Sequence, residues 1–259
     1  MLNGLIGYTG FVGSNIDRAF DPHYRFNSKN IDLIKGMKFD HLIVAGAPGV
    51  KWYANQNPEE DLLSIKNLIL NLSEVTCHKI TLISTIDVYG NAHNVTEDDE
   101  PSPDCKYGEH RLMLERFILD FFCDALVVRL PGLFGQGLRK NVLFDFINNN
   151  QIDKIDSRNK FQFYSVDKLY RDILTARQLD LKLLNIAPAP TPLTNIYLTY
   201  FGSEFHNITN TIPKIYNIRS LYSEKFGGTE EGYINTQEES LSEIAEFMEK
   251  SRPDAGLHK

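Results

Sequence analysis

The chain has 259 residues, 42% of them apolar, which is enough to bury a sizeable core in one large domain or two small ones. Its net charge is −7 and it contains no basic block, so a nucleic-acid-binding role is not expected. The three cysteines fit neither a metal-binding spacing nor a disulfide framework, and no charged leader or long apolar stretch is present. We therefore expect a cytoplasmic protein with reduced thiols, no membrane segment and no metal site.

Strand-like and helix-like segments alternate through the first half of the chain. The apolar runs predict strands at 2–7, 24–28, 41–47, 79–86 and 124–130, and helical spacing predicts helices at 11–20, 57–75 and 107–122. Strands built of continuous Val, Ile and Leu between helices are typical of a parallel sheet covered on both faces. The predicted fold class is α/β, a Rossmann-type doubly wound parallel sheet.

The second half of the chain is less regular. The pattern predicts a helix at 139–150, a strand at 161–166 followed by a helix, and another strand at 181–188. "APAPTP" (187–192) should be a rigid connector. The last predicted helix covers 236–250, with Thr236 as N-cap and Glu239 at the capping-box position.

Three glycines separate the first predicted strand from the first predicted helix. In "GLIGYTGFVGSN" they are Gly7, Gly10 and Gly13. Gly7 permits a tight turn, Gly10 lets a pyrophosphate approach the backbone at a helix N-terminus, and Gly13 lets the helix pack close to the strand. A glycine turn can be merely structural, but this context predicts dinucleotide binding.

The residues after the second strand bear on the choice between NAD and NADP. The tip contains Asn27, Ser28 and Lys29 but no carboxylate that would bind an adenosine ribose. This favours NADP, with Ser28 and Lys29 contacting the 2′-phosphate; the alternative is a polar loop far from the cofactor. Asp32 is placed to reach the adenine amino group.

Three motifs follow one another in a characteristic order: the glycine loop, "STIDVYG" (84–90) at a strand end, and "YGEHR" (107–111) opening a helix. Together they resemble the extended short-chain dehydrogenase/reductase family, also called the NAD-dependent epimerase/dehydratase family. The likeness extends to "VVRLPGLFGQG" (127–137) and "FQFYSVDKL" (161–169). Many members of that family act on nucleotide-linked sugars, so the resemblance implies an NAD(P)-dependent enzyme with such a substrate.

The resemblance implies a catalytic set of Thr85, Tyr107 and Arg111. Arg111 replaces the lysine of the family's Tyr-x-x-x-Lys pattern. We also expect cofactor contacts from residues flanking the first, third and sixth strands and from the catalytic pair: Phe11, Val12, Ala45, Gly46, Ala47, Tyr107, Arg111 and Pro131.

The replacement of lysine by Arg111 bears on proton transfer. A free tyrosine has a pKa of about 10, and lowering it by about three units takes roughly 4 kcal/mol. The Arg111 charge, about one helical turn from Tyr107, can supply part of this, and its planar fork can bond the ribose hydroxyls of the nicotinamide riboside. Arginine does not readily give up a proton, so a proton relay through Arg111 is not expected. The alternative is that Tyr107 and Arg111 are ordinary helix residues.

The strand-end motif discriminates among reactions. Members that eliminate water from the sugar carry two adjacent carboxylates here, whereas this chain has Ile86 and Asp87. Elimination is therefore disfavoured, and reduction of a keto-sugar or epimerisation is expected. The expected substrate contacts are Asp87, Lys140 and Asn141; for the last two the alternative is a role in starting and capping a helix. A non-catalytic NAD(P)-binding sensor or scaffold is the alternative function.

We expect two structural parts and a homodimer. Residues 1–131 and 161–188 should form the dinucleotide-binding domain, and 132–160 with 189–259 a small substrate-binding lobe and the C-terminal helix. The helices predicted at 57–75 and 107–122 are apolar on more than one face. This pattern suggests a dimer through a four-helix bundle, as in many relatives.

Overall fold

A computed structural model describes residues 2–90, 92–229 and 231–252. Its strands, in chain order, are β1 (Asn3–Ile6), β2 (Tyr24–Phe26), β3 (Lys38–Val44), β4 (Thr76–Thr85), β5 (His93–Val95), β6 (Ala125–Leu130), β7 (Gly132–Phe134), β8 (Lys160–Phe161), β9 (Phe163–Ser165), β10 (Leu183–Asn185), β11 (Thr191–Pro192) and β12 (Asn217–Ile218). Its helices are α1 (Phe11–Phe20), α2 (Lys51–Gln56), α3 (Pro58–Leu72), α4 (Lys106–Phe121), α5 (Val142–Ile147), α6 (Leu169–Gln178), α7 (Leu193–Phe201) and α8 (Gln237–Lys250). Short 3₁₀ helices cover Ile31–Ile34, Ile86–Val88, Ile152–Lys154, Val166–Lys168 and Ser223–Phe226.

Six strands form one parallel sheet in the order β10–β6–β4–β3–β1–β2. The order reverses direction beside β1, because β2 lies on one side of β1 and β3 on the other. Ligands of such sheets bind where the strand order reverses, outside the carboxyl ends of the strands. The residues that follow β1, β3, β4 and β6 all lie at this edge, which confirms the predicted Rossmann-type α/β fold.

Both faces of the sheet are covered, as the continuous apolar strands predicted. On one face, α3 and α4 pack on the sheet through buried residues such as Ile65, Leu72 and Leu114. On the other face, α1 and α6 pack through Ile16 and Ile173.

A third apolar cluster lies outside the sheet and joins β7, α5, β9, α7 and α8. Its buried members include Phe134, Leu143, Phe146, Ile196 and Met248. The C-terminal helix thus packs with the 132–160 segment. The division into two domains stays a prediction. The last residues of the predicted second part, 253–259, lie outside the described residues.

Several boundaries differ from the sequence prediction for local reasons. The helix predicted at 57–75 begins at Pro58 and is preceded by the unpredicted α2, because Asn57 has a non-helical conformation before the proline. The helix predicted at 139–150 is shortened to α5, which Asn141 caps. The predicted strand at 161–166 is divided into β8 and β9, and α7 after the proline-rich connector was not predicted. The capping box of Thr236 and Glu239 is confirmed.

None of the helices within the described residues combines the length and apolar character needed to cross a membrane.

Candidate active site

The glycine loop connects β1 to α1 at the point where the strand order reverses. Gly7 has a φ of +88°, and a Cβ there would overlap the carbonyl of Ala45; a Cβ on Gly13 would overlap the carbonyl of Gly7. Gly10 differs, because its Cβ would meet only the carbonyl oxygen of Gly7, at 3.3 Å. The first N–H groups of α1 have no partner inside the helix, and its first turn carries no acidic residue. This loop therefore has room for a ligand beside Gly10, where Phe11 and Val12 could contribute N–H groups to hold a pyrophosphate.

The tip after β2 is ordered by its own side chains. The Asn27 amide oxygen accepts a hydrogen bond from the N–H of Lys29 at 2.9 Å, and its Nδ2 donates to the Tyr8 hydroxyl at 3.3 Å. Ser28 and Lys29 are exposed, as is Asp32 in the following 3₁₀ helix. The side chains of Ser28, Lys29 and Asp32 are therefore accessible to a ligand.

Other expected cofactor contacts lie along the same edge of the sheet. Ala45, Gly46 and Ala47 directly follow β3, and a Cβ on Gly46 would lie 2.8 Å from Cγ2 of Ile6, so the chain passes close to β1. Pro131 directly follows β6 and is buried. The residues after β3 and β6 thus lie at the same edge of the sheet as the glycine loop that follows β1.

Thr85 and Ser84 at the end of β4 have different environments. The Thr85 hydroxyl accepts a hydrogen bond from the N–H of Asp87 at 3.1 Å and caps the 3₁₀ helix that follows. The Ser84 hydroxyl donates to buried Glu115, which also pairs with Arg129 at 2.7 Å. Ser84 therefore belongs to a buried network, and Thr85 is the hydroxyl available to the site.

Tyr107 lies in the first turn of α4 and is 8% exposed. Its backbone N–H donates to the Asn55 side chain of α2 at 2.9 Å, which satisfies one N–H of the helix N-terminus. Gly108 allows close packing, because a Cβ there would overlap the carbonyl of Asp87. The packing of α4 on the 86–88 turn thus brings Tyr107 beside Thr85.

Arg111 is buried, with 2% exposure, and its guanidinium carbon lies 4.1 Å from the centroid of the Tyr107 ring. Its two terminal nitrogens donate to the Asp61 carboxylate of α3 and to the carbonyl of Pro48. His110 shares Asp61, with 2.6 Å between its Nδ1 and Oδ2 of the carboxylate. Within the described residues only Nε of the guanidinium has no partner. The predicted fork-like contact with a ribose would therefore have to displace existing bonds.

The ionisation of Tyr107 reflects two opposing effects. Burial raises the pKa of Tyr107, and nearby Asp87 adds to this. The charge of Arg111, a hydrogen bond with Thr85 and the charge of Lys51 lower that pKa, but burial prevails and the net shift is upward. Arg111 thus acts in the expected direction without making Tyr107 a base on its own, and Tyr107 is a protonated phenol at neutral pH.

Two residues that the sequence analysis did not identify contact Asp87. Lys51, the first residue of α2, forms an ion pair with it, with 2.7 Å between Nζ and Oδ1. The Tyr216 hydroxyl lies 3.4 Å from the same oxygen. These contacts span 36 and 129 positions along the chain, so no local pattern could have revealed them.

Lys140 and Asn141 lie in the loop that precedes α5. The ammonium of Lys140 donates to the carbonyl of Gly49 and thereby joins this loop to the segment before α2. The Asn141 side chain accepts from the N–H groups of Leu143 and Phe144 and donates to the carbonyl of Leu133. Asn141 therefore caps α5, the alternative considered for it, whereas Lys140 contacts Gly49 in the segment between β3 and α2.

Across residues 2–90, 92–229 and 231–252, no group of three or more His, Cys, Asp or Glu side chains is arranged to hold a metal ion.

Comparisons with known proteins support the fold. No family model matches the sequence, and no curated protein matches it. Among solved structures, the chain is similar to a dTDP-4-dehydrorhamnose reductase from Clostridium acetobutylicum, with 17% identity, a TM-score of 0.75, and 97% of this chain and 99% of that chain covered. It is also similar to a UDP-glucuronic acid 4-epimerase from Bacillus cereus in complex with UDP-glucuronic acid and NAD, with 16% identity, a TM-score of 0.72 and coverage of 97% and 100%. A third similar structure is a UDP-N-acetylglucosamine 4-epimerase from Methanobrevibacter ruminantium in complex with UDP-N-acetylmuramic acid, with 13% identity, a TM-score of 0.73 and coverage of 96% and 97%. This likeness confirms the fold implied by the resemblance in the sequence.

Proposed function

We propose that the protein is an NAD(P)-dependent oxidoreductase or epimerase that acts on a nucleotide-linked sugar. The observation that carries the proposal is the close packing of Gly108 on the carbonyl of Asp87, which places the first turn of α4, with Tyr107, against the end of β4 that carries Thr85. The structural neighbours act on dTDP- and UDP-linked sugars, which favours the same substrate class here.

Reduction of a keto-sugar or epimerisation suits this site best. The bound cofactor would supply the hydride chemistry. In the reduction, Tyr107 donates the proton that the developing alkoxide needs, and its raised pKa keeps that proton in place at neutral pH. An epimerisation would first require the same side chain, as phenolate, to accept the proton of the sugar hydroxyl. Thr85 orients the same oxygen, and Arg111 contributes its charge from behind the Tyr107 ring. Ile86 supplies no carboxylate for elimination of water.

NADP is the proposed cofactor, with NAD as the alternative. No carboxylate lies at the tip of β2, and Ser28 and Lys29 are exposed there, as a 2′-phosphate requires. A structural neighbour contains NAD, which keeps the alternative open.

The proposed substrate contacts are Asp87, in the turn after β4, and Lys140, beside Gly49, which we place near the substrate diphosphate. Asn141 could join them only by giving up its capping bonds. We propose a cytoplasmic location, consistent with three cysteines that are free thiols.

A homodimer through α3 and α4 is also proposed. These helices expose Leu63, Leu70, Met113 and Phe121, which are 68%, 65%, 38% and 50% accessible. Their partner would be the same surface of a second copy, giving a four-helix bundle. Light scattering after size-exclusion chromatography measures the molar mass in solution and so distinguishes a monomer from a dimer.

A non-catalytic NAD(P)-binding sensor or scaffold is the second candidate. Its support is the commitment of Arg111 to Asp61 and Pro48, because a cation held this way contributes less to proton transfer at Tyr107.

A thermal-shift panel separates the two candidates. The purified protein is heated with NADH or NADPH, each alone and with UDP-, dTDP-, GDP- or CDP-glucose. Further stabilisation by a nucleotide sugar supports the enzyme, and stabilisation by the cofactor alone supports the sensor. A nucleotide sugar that binds then enters turnover assays, which include dTDP-4-dehydrorhamnose with NADPH and UDP-glucose with NAD.

A further inference from the structure

A polar cluster around Asp87, in the turn after β4, combines side chains from three distant parts of the chain. Lys51 comes from α2, Asp87 from the turn after β4, and Tyr216 from the segment before β12. Both Lys51 and Tyr216 approach Oδ1 of Asp87, at 2.7 and 3.4 Å. We propose that these three side chains form the recognition site for the hydroxyl groups of an uncharged sugar, a refinement that rests on the proposed function.

The hydrogen-bonding capacity of the cluster matches hydroxyl groups. The Lys51 ammonium has three donor hydrogens, and its bond to Asp87 uses one of them. The other carboxylate oxygen, Oδ2, has only a long contact of 3.5 Å with the Thr85 hydroxyl and can still accept. The cluster therefore offers donors and an acceptor side by side, and a sugar hydroxyl needs both.

The protonation states of the cluster preserve this pattern at neutral pH. Burial lowers the pKa of Lys51, but the charge of the Asp87 carboxylate and its hydrogen bond to the ammonium outweigh burial, so the net shift is upward and the ammonium stays charged. Burial and Asp87 raise the pKa of Tyr216, so its hydroxyl remains protonated.

Charge balance favours a neutral sugar over an acidic one. Lys51 and Asp87 cancel each other, and Arg111 is neutralised by Asp61. A carboxylate on the sugar would thus meet Asp87 without a free cation in this cluster to offset the repulsion. A hydroxymethyl group at the same position avoids that cost.

The Lys51–Asp87 pair is also accessible, unlike the Arg129–Glu115 ion pair near the end of β4. The side chains of Lys51 and Asp87 are 38% and 18% exposed, whereas those of Arg129 and Glu115 are 3% and 1% exposed. A ligand can reach the first pair without displacing the core, and the second pair serves the interior.

Titration calorimetry with matched sugars tests the proposal. UDP-glucose and UDP-glucuronic acid, and the corresponding dTDP pair, are titrated into protein saturated with cofactor. The parent should bind the glucose compound at least tenfold more tightly. Asp87→Asn leaves the ammonium unpaired and should shift this ratio at least tenfold towards the glucuronic acid compound, whereas Lys51→Met should shift it the other way.

The control is Lys66→Met, which removes an exposed lysine of α3 and should leave the ratio unchanged. Tyr216→Phe should weaken the binding of both nucleotide sugars by the same factor. If Asp87→Asn does not fold, Lys51→Met and Tyr216→Phe together still test the proposal. A parent that prefers the glucuronic acid compound, or equal ratios in parent and charge variants, overturns the inference alone. A cofactor-bound parent that binds no nucleotide sugar in the full panel overturns the proposed function as well.

Discussion

Two regions at the carboxyl edge of the sheet, the glycine loop and a helix corner, are built in different ways. The glycine loop uses backbone: its three glycines leave room for one another and for a ligand, and its N–H groups point outward from α1. The helix corner, by which we mean segment 48–56 and the first two turns of α4, uses side chains. There Arg111 bonds Asp61 and Pro48, and Asn55 receives the N–H of Tyr107. The first region is encoded within a few consecutive residues, and the second depends on partners far apart in the chain.

The difference has a physical basis. A backbone site needs only a permitted conformation and the absence of side-chain atoms, and both follow from local sequence. An ion pair needs the whole fold, because nothing in the two local sequences specifies which charges meet. Substitutions that add atoms to the glycine loop should therefore impair stability or cofactor binding, and substitutions that remove a charge from the helix corner should impair stability.

The largest expected effect is on chemistry at the helix corner. Tyr107→Phe keeps the ring over which Arg111 lies but removes the proton, so turnover should fall by about 10²–10⁴-fold. Cofactor affinity should change little, because the hydroxyl contributes little to binding. Both are measured with the substrate found in the panel, and a Tyr107→Phe variant that turns over like the parent would falsify the assignment of Tyr107 as acid/base.

Stability should depend strongly on Arg111. Arg111→Met leaves the Asp61 carboxylate buried without its guanidinium, which should reduce the free energy of unfolding by about 3–5 kcal/mol. Arg111→Lys keeps the charge and should be markedly less destabilising. Urea denaturation measures both, with Arg116→Met, whose side chain is 61% exposed, as a control expected within about 0.5 kcal/mol of the parent. A small loss for Arg111→Met would mean that the ion pair is not tightly held.

The glycine loop provides the matched test of added atoms. Gly13→Ala places a Cβ against the carbonyl of Gly7 and should destabilise the protein by about 1–3 kcal/mol. Gly10→Ala places its Cβ 3.3 Å from the carbonyl oxygen of Gly7, a much milder contact, so it should cost clearly less stability than Gly13→Ala while weakening cofactor binding at least tenfold. Denaturation and calorimetry on the same two variants give the comparison. Equal cofactor affinity in Gly10→Ala and parent would remove Gly10 from the binding site.

The smallest effect concerns cofactor choice. If Ser28 and Lys29 bind the 2′-phosphate, NADPH should bind about tenfold more tightly than NADH, a difference of about 1.4 kcal/mol. Lys29→Met should reduce that preference, whereas Lys35→Met, an exposed lysine beyond the 3₁₀ helix, should not. A parent that prefers NADH would exclude this assignment.

The sequence predicted the sheet, the glycine loop and the helix that carries Tyr107, because each has a local pattern. It did not predict α2, since Pro58 provided a strong helix start and the preceding six residues carry no comparable signal. Asp61 matched the ordinary preference for acidic residues at a helix start, which concealed its burial beneath Arg111. Lys51 had no local signal of its interaction with Asp87.

The attachment of segment 48–56 has a consequence for protein engineering. Pro48 and Gly49 are exposed, and exposed loops usually accept inserted residues. The adjoining helix α2 should not accept them. One extra residue between Lys51 and Asn55 would rotate one of these side chains relative to the other by about 100°, since an α-helix has about 3.6 residues per turn. Lys51 and Asn55 could then not reach Asp87 and the N–H of Tyr107 together. An affinity tag or circular permutation should instead be placed at 202–204, where the chain is exposed after α7.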